Sequence, residues 1–185
     1  MADDPAIPWD GTVPVAATAV VKRIEAFSAT PYEDNPGNPN DTWTIGYGSI
    51  HDGNGNRVTA GTPPVTQAQA AALLQHEMLA TAREVQAKAT AALLMYEAAA
   101  LISWTYNLGG PNLESSTLLK RLNAGDKRGV PDEMHRWINQ GGKPLIGLLR
   151  RRWAEAAIFV GLDPDKACDR AWTEIGKLDD WPNFT

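Results

Sequence analysis

Residues 24–34 and 43–48 read Ile24-Glu25-Ala26-Phe27-Ser28-Ala29-Thr30-Pro31-Tyr32-Glu33-Asp34 and Trp43-Thr44-Ile45-Gly46-Tyr47-Gly48. Ahead of them, Val15, Val20, Val21, Ile24 and Phe27 approximate helical spacing, with Pro14 tolerated in the first turn, so the pattern predicts a helix with Glu25 in its last turn. Between Pro31 and Pro64 the composition changes to Gly, Asn, Asp, Pro and Thr. β-prone pieces lie at residues 42–47 and around Arg57-Val58-Thr59, with the turn signal Asp52-Gly53-Asn54-Gly55 between them. A small hairpin-based sheet is therefore expected from residues 42–59.

Working outward, every later segment reads as helix. Thr66-Gln67-Ala68-Gln69 matches a capping box, in which a Thr hydroxyl and a Gln side chain satisfy the free amides that open a helix, and that helix should run to about Lys88. Residues 93–108 are almost wholly apolar apart from Glu97 and Asn107, which suits the central helix of a bundle stopped by Gly109-Gly110-Pro111. Ser115 or Ser116 should cap a helix through Leu122, Pro131 should open a short one through Ile138, and Pro144 a longer one ending at Gly161. A last helix is expected from Pro164 to about Lys177. Residues 1–13 lack apolar periodicity and read as a surface tail that Trp9 pins down. The class is α+β, mostly helical. One domain is expected over residues 1–185, with a β lobe at 30–65, a helical lobe at 14–29 and 66–185, and a cleft between them.

The whole chain bounds what that domain does. Its 185 residues, 43% hydrophobic, suffice for a core that removes about 70% of the unfolded surface from water. A net charge of -5 with no basic stripe argues against nucleic acid as a partner. The lone Cys168 predicts a fold without internal disulfides, suited to synthesis in a reducing compartment. Met1-Ala2-Asp3-Asp4-Pro5 carries early acids and no long apolar core, unlike a signal peptide or an anchor, and no apolar run is long enough to predict a membrane span.

Glu25 at a helix C-terminus would feel the negative end of the dipole and partial burial, both of which disfavour its ionised form and suit a general acid. Asp34, in a polar loop, would stay ionised; Glu33 and Asp41 are rivals for that role. Adjacent residues of an extended segment point to opposite sides, so at most one of Glu33 and Asp34 faces a shared cleft. Thr44 would help Asp34 position water. A helix-borne acid, a second carboxylate and a hydroxyl suit hydrolysis of a glycosidic bond. Taken singly, each residue has a plainer reading: a surface Glu paired with Lys22 or Arg23, a turn-forming Asp, an ordinary strand Thr.

Together these residues resemble the phage-type lysozymes, or endolysins, of glycoside hydrolase family 24. The likeness rests on the Glu25 to Asp34 spacing, on Tyr32, on Thr44-Ile45-Gly46-Tyr47-Gly48 and on Trp104-Thr105-Tyr106-Asn107-Leu108-Gly109. It continues through Ser116-Thr117-Leu118, Leu122-Asn123-Ala124-Gly125-Asp126, Arg136-Trp137, and Gly147-Leu148-Leu149-Arg150-Arg151 with Glu155, in the family's order. The resemblance implies a lysozyme-like fold, a catalytic set of Glu25, Asp34 and Thr44, and glycan contacts at Ile50, Tyr106 and Thr117. It implies peptidoglycan glycan strands as the substrate, no metal or organic cofactor, a monomer, and storage in the host cytoplasm until a separate pore protein opens the inner membrane.

Three departures bear on those expectations. Ala26 stands where the family has Gly, which predicts a different ending for the helix; nine residues separate Asp34 from Thr44, more than in the family; and Ser49-Ile50-His51 replaces its usual His after the second glycine. Of Arg150-Arg151-Arg152, which successive 100° turns spread around a helix, at least one should be solvated. Trp104, Trp137 and Trp153 read as core. Rival functions are a lytic transglycosylase, for which Asp34 is expendable, and a non-catalytic wall-binding or virion module. A zinc amidase would need a ligand cluster that the scattered His51, His76 and His135 do not supply.

Overall fold

The predicted first helix is α1, Val15–Glu25, in a computed structural model that describes residues 7–33 and 42–184. Ala17, Val20 and Val21 supply its buried side, whereas Val15 is 60% exposed and Phe27 lies beyond the helix. The chain leaves α1 through Ala26 at φ +53°. That is the left-handed conformation glycine adopts most easily, so Ala26 reproduces the exit expected of Gly instead of forcing a different one.

Two compact units partition the chain, one of residues 21–80 and one of residues 1–20 with 81–185. In the first, β1, Ser28–Glu33, pairs antiparallel with β2, Trp43–Gly46, in the register Ser28↔Gly46, Tyr32↔Thr44 and Glu33↔Trp43. The expected hairpin of residues 42–59 is thereby corrected: β2 finds its partner upstream. Pro31 masked that strand as a breaker, yet a two-stranded sheet is all edge, where a missing N–H is tolerated, and the ladder is irregular between Ser28 and Tyr32. The expected turn at Asp52 forms, with Asp52 Oδ1 accepting from the amides of Asn54 and Asn56 at 2.9 Å, but its flanks meet only as the isolated bridge His51↔Arg57. Gly46, at φ +69°, lets the strand end lie against the next helix: a Cβ there would be 2.9 Å from that of Ala70.

That helix is α2, Gln67–Lys88, opened by the predicted capping box: Gln69 N donates to Thr66 Oγ1 at 3.2 Å and Thr66 N to Gln69 Oε1 at 2.8 Å. Within residues 21–80, Ile45, Tyr47, Val58, Ala70, Leu74 and Met78 form the buried centre. Phe27 and Tyr47 meet with ring centroids 5.8 Å apart.

The other unit is built around α3, Met95–Leu108, whose residues from Glu97 through Thr105 are all buried. Buried Glu97 is satisfied by Lys127 Nζ at 2.6 Å and by the Leu94 amide at 2.8 Å. Gly109 ends α3 as expected, but Gly110 and Pro111, in place of a plain stop, open a further short helix, α4, Gly110–Ser115. Ser116 then caps α5, Thr117–Asn123, with its side chain accepting from Leu119 N. A 3-10 turn, Lys127–Gly129, leads into α6, Val130–His135, which ends three residues earlier than expected. Between α6 and the next helix lies an unpredicted hairpin of β3, Asn139–Gln140, and β4, Lys143–Pro144, turned by Gly141 and Gly142 at positive φ. Pro144 therefore closes a hairpin, and α7, Ile146–Phe159, starts after it.

Helix α7 packs against α3, α6 and α8, Pro164–Glu174, which Asp163 caps by accepting from Lys166 N. The expected surface tail is more firmly tied than predicted: Trp9 N donates to Leu93 O and Met95 N to Ile7 O, at 2.8 and 2.9 Å. The α+β, mostly helical class is as expected, with only short antiparallel ladders beside eight helices among the described residues.

Candidate active site

Glu25 is the last residue of α1 and is half-buried, so its carboxyl group stands where the unpaired carbonyls of the final turn concentrate negative charge. Lys22, one of the cations offered as its plain partner, reaches over the Tyr47 ring, 5.7 Å from the centroid. Three residues after Glu25, Ser28 starts the ladder opposite Gly46, so the signature strand and the helix end are linked by one short connection.

Thr44 lies on β2, 6% exposed, and among the described residues its Oγ1 has no hydrogen-bond partner. A buried hydroxyl left in that state carries a desolvation cost of about 1–3 kcal/mol, which an ordinary core position would avoid with Val. Tyr32 is directly opposite, and Glu33, the next residue, pairs with Trp43. Asp34 and its fallback Asp41 lie outside the described residues, as does most of the extra spacing before Thr44.

Ile50 is half-buried on the segment after the signature, its carbonyl accepting from Val58 N at 3.0 Å. Beside it, Ser49 is fully buried and donates to Glu77 Oε2 at 2.9 Å. This pairing occupies the position of the family's usual His, and its partner is not legible in the sequence because spacing alone does not choose between Glu77 and Glu84, the two acids of α2. In the other unit, Tyr106 is half-buried near the end of α3 and Thr117 is the exposed first residue of α5. Glu25, Thr44 and Ile50 thus belong to residues 21–80, and Tyr106 and Thr117 to the second unit.

The arginine run departs from expectation. Arg151 and Arg152 are 3% and 0% exposed, and Arg150 is half-buried with Nε and Nη2 donating to Ile175 O. Both buried guanidinium groups converge on Glu155, itself fully buried: Arg151 Nε donates to Oε1 at 3.1 Å, while Arg152 Nε sits 3.0 Å from Oε2 at ion-pair distance but off the hydrogen-bond direction. Ser103 Oγ donates to Glu155 Oε1 at 2.8 Å, and Arg152 Nη2 to Asn107 Oδ1 at 2.8 Å. At least one solvated guanidinium was expected; burial wins because α7 is covered by α3, α6 and α8, so most of its circumference is interior. The recoverable signal was spacing, since Arg151 and Arg152 stand four and three residues before Glu155. Trp104 and Trp153 are fully buried as expected, with half-buried Trp137 edge-on to Trp104 at 5.2 Å. Among the described residues no three His, Cys, Asp or Glu side chains group as a metal ion would require.

Comparison with known proteins gives the relatives of the chain. The phage lysozyme family matches residues 22–155. The chain is 33% identical over 144 residues to an endolysin of Acyrthosiphon pisum secondary endosymbiont phage 1, covering 76% of this chain and 92% of that one. It is 33% identical over 137 residues to a SAR-endolysin of Enterobacteria phage P21, covering 74% and 78%. Among solved structures, an endolysin from Escherichia coli O157:H7 phage FAHEc1 superposes with a TM-score of 0.72 at 30% identity, over 84% of this chain and 97% of that one. The muramidase domain of SpmX from Asticaccaulis excentricus gives 0.69 at 25% identity, over 82% and 99%.

Proposed function

The chain belongs to the phage lysozyme family of peptidoglycan-hydrolysing enzymes, and from that premise we propose that Glu25 is its general acid and that Asp34 and Thr44 direct the attacking water. Glu25 protonates the leaving oxygen of the β-1,4 bond between N-acetylmuramic acid and N-acetylglucosamine. Asp34 takes a proton from water on the opposite face of the sugar as Thr44 Oγ1 holds that water in line, and the anomeric carbon inverts. The observation that carries this reading is Thr44: a buried strand hydroxyl without a partner among the described residues, directly across from Tyr32. Strand alternation puts Glu33 on the face opposite Tyr32 and Thr44, which argues against Glu33 as the second carboxylate. Ile50, Tyr106 and Thr117 contact the glycan.

An inverting pair needs its carboxyl groups about 6.5–9.5 Å apart, and hydrolysis of a β bond then releases an α reducing end first. Proton NMR of a chitooligosaccharide or muropeptide digest reads that anomer directly. A first-formed β end would indicate a retaining nucleophile, and an anhydro end would indicate a transglycosylase that makes Asp34 expendable. Glu25→Gln should abolish turnover with little loss of stability; near-normal turnover rejects the assignment.

Host-cell lysis is the role that fits such an enzyme. We place the stored protein in the host cytoplasm, released by a separate pore protein to reach periplasmic peptidoglycan as a monomer. No described helix is long and apolar enough to cross a membrane. The relatives named SAR-endolysins make export without a pore protein the alternative. Fractionation of cells expressing the chain alone decides between them, since lysis or periplasmic enzyme without a co-expressed pore protein would reject the storage route.

A further inference from the structure

A groove within residues 21–80 is unused by the chemistry above. It is an open cavity of about 820 Å3 between the turn at residues 51–55 and one face of α2, with His51 and Asp52 on the first wall and Gln69, Leu73, His76 and Glu77 on the second. Spacings of three and four along α2 put the second set on a single helix face. The floor between the walls is aliphatic, and each wall carries one imidazole beside one carboxylate. Neither carboxylate is free to swing. Asp52 accepts from the Asn54 and Asn56 amides and from Asn56 Nδ2, and Glu77 accepts from the fully buried Ser49 hydroxyl. Those amides of Asn56, main chain first, hold the Asp52 carboxyl below the usual carboxylate range, so that wall keeps its negative charge.

A groove of this kind is complementary to a ligand that is aliphatic along its length and carries both an ammonium and carboxylates. Nucleic acid and uncharged sugar lack that combination. The peptide stems on peptidoglycan have it: alanine methyl groups, the methylene chain of a diamino acid, one ammonium and several carboxylates. Position also fits. His51 follows Ile50 in the chain, consecutive Cα atoms are about 3.8 Å apart, and a stem of about four residues extends roughly 14 Å. A glycan resting on Ile50 therefore has its stem within reach of the groove.

We infer that this groove is a peptide-stem subsite, seating the diamino acid with its ammonium between Asp52 and Glu77 and a carboxylate on His76 and Gln69. The inference rests on the glycan-hydrolase reading of Glu25, Thr44 and Ile50, and adds to it a preference for stem-bearing over bare glycan.

The test compares sacculi bearing their stems with the same sacculi stripped by an amidase, using the full chain and its Gln69→Ala/His76→Ala variant, both positions being exposed and outside the proposed catalytic set. Loss of two contacts to a charged group should raise KM for stem-bearing sacculi by about tenfold or more, with kcat and the kinetics on stripped sacculi unchanged. Equal kinetics for variant and parent on both substrates, or an equal loss on both, overturns the subsite. Independently, a free tetrapeptide containing meso-diaminopimelate should shift the His76 imidazole resonances saturably, and the absence of a saturable shift overturns it as well. Glu25→Gln keeps the two readings apart. An inactive variant that still binds the tetrapeptide supports both, whereas an active one sinks the catalytic assignment and leaves the tetrapeptide result to judge the groove.

Discussion

At Ala26, Glu25's neighbour, a side chain occupies φ +53°, a conformation that costs a non-glycine residue about 1–2 kcal/mol. Ala26→Gly removes that strain but admits more freedom in the unfolded chain, so the expected net gain is about 0.5–1 kcal/mol, read as a higher urea midpoint with unchanged slope. Turnover should hold or rise, because the exit geometry that aims Glu25 is already the left-handed one. Glu155 presents the opposite case. It is the counter-charge for two buried guanidinium groups, so Glu155→Gln should cost about 3–5 kcal/mol of stability, measured by chemical denaturation. The contrast with Glu25→Gln separates a structural carboxylate from a catalytic one: one variant should lose the fold and the other only the rate. Residue identity alone did not make that distinction, since Glu25 and Glu155 both sit on helices near arginines; burial on all sides of α7 did.

Among the elements, the segment after α8 does the most that was not foreseen. The match to the family stops at residue 155, yet the chain continues through α8 into a strap in which Trp181 stacks on His135 at 4.2 Å and Phe184 meets Trp153 at 5.6 Å. Trp153 Nε1 donates to Pro182 O at 2.7 Å, and Arg170 Nη2 to Asn183 O at 3.0 Å. Burial pushes the His135 imidazole below its usual range, a shift that the Asp132 charge opposes and the Arg136 charge reinforces. The unfolded chain therefore binds a proton more readily than the folded one. Stability from the neutral, stacked imidazole is fully present above about pH 6.5 and is lost as pH falls through the lower folded pKa. Urea midpoints should drop across that window, and His135→Gln should flatten the drop; an unaltered pH profile would disprove the link. On α2, Thr66→Ala should cost about 1 kcal/mol, read in the same denaturation experiment. Helices with caps and periodicity were legible here, as α2, α5 and α8 show. The short elements β1, β3, β4 and α4 were not, because so short a run has no period, and because Pro31 and Pro111 read as breaks and Pro144 as a helix start until their neighbours are known.

For the molecule as a whole, the chemistry proposed uses only side chains, and a chelator should leave turnover on sacculi unchanged; loss of activity with EDTA and its return with a divalent ion would contradict the mechanism. The one cysteine, Cys168, is buried on α8, so reductant should not move the melting temperature. By itself the sequence determined the class, the long helices and the order of the functional motifs, because periodicity, caps and spacing are local properties that each segment carries with it. Tertiary structure alone decided which strand β2 joins, that two arginines and Glu155 go inside, that Ser49 meets Glu77, and that a charged groove opens beside α2. Each of those depends on the free energy of burying or pairing groups far apart in the chain, and that quantity does not exist until the chain has closed on itself.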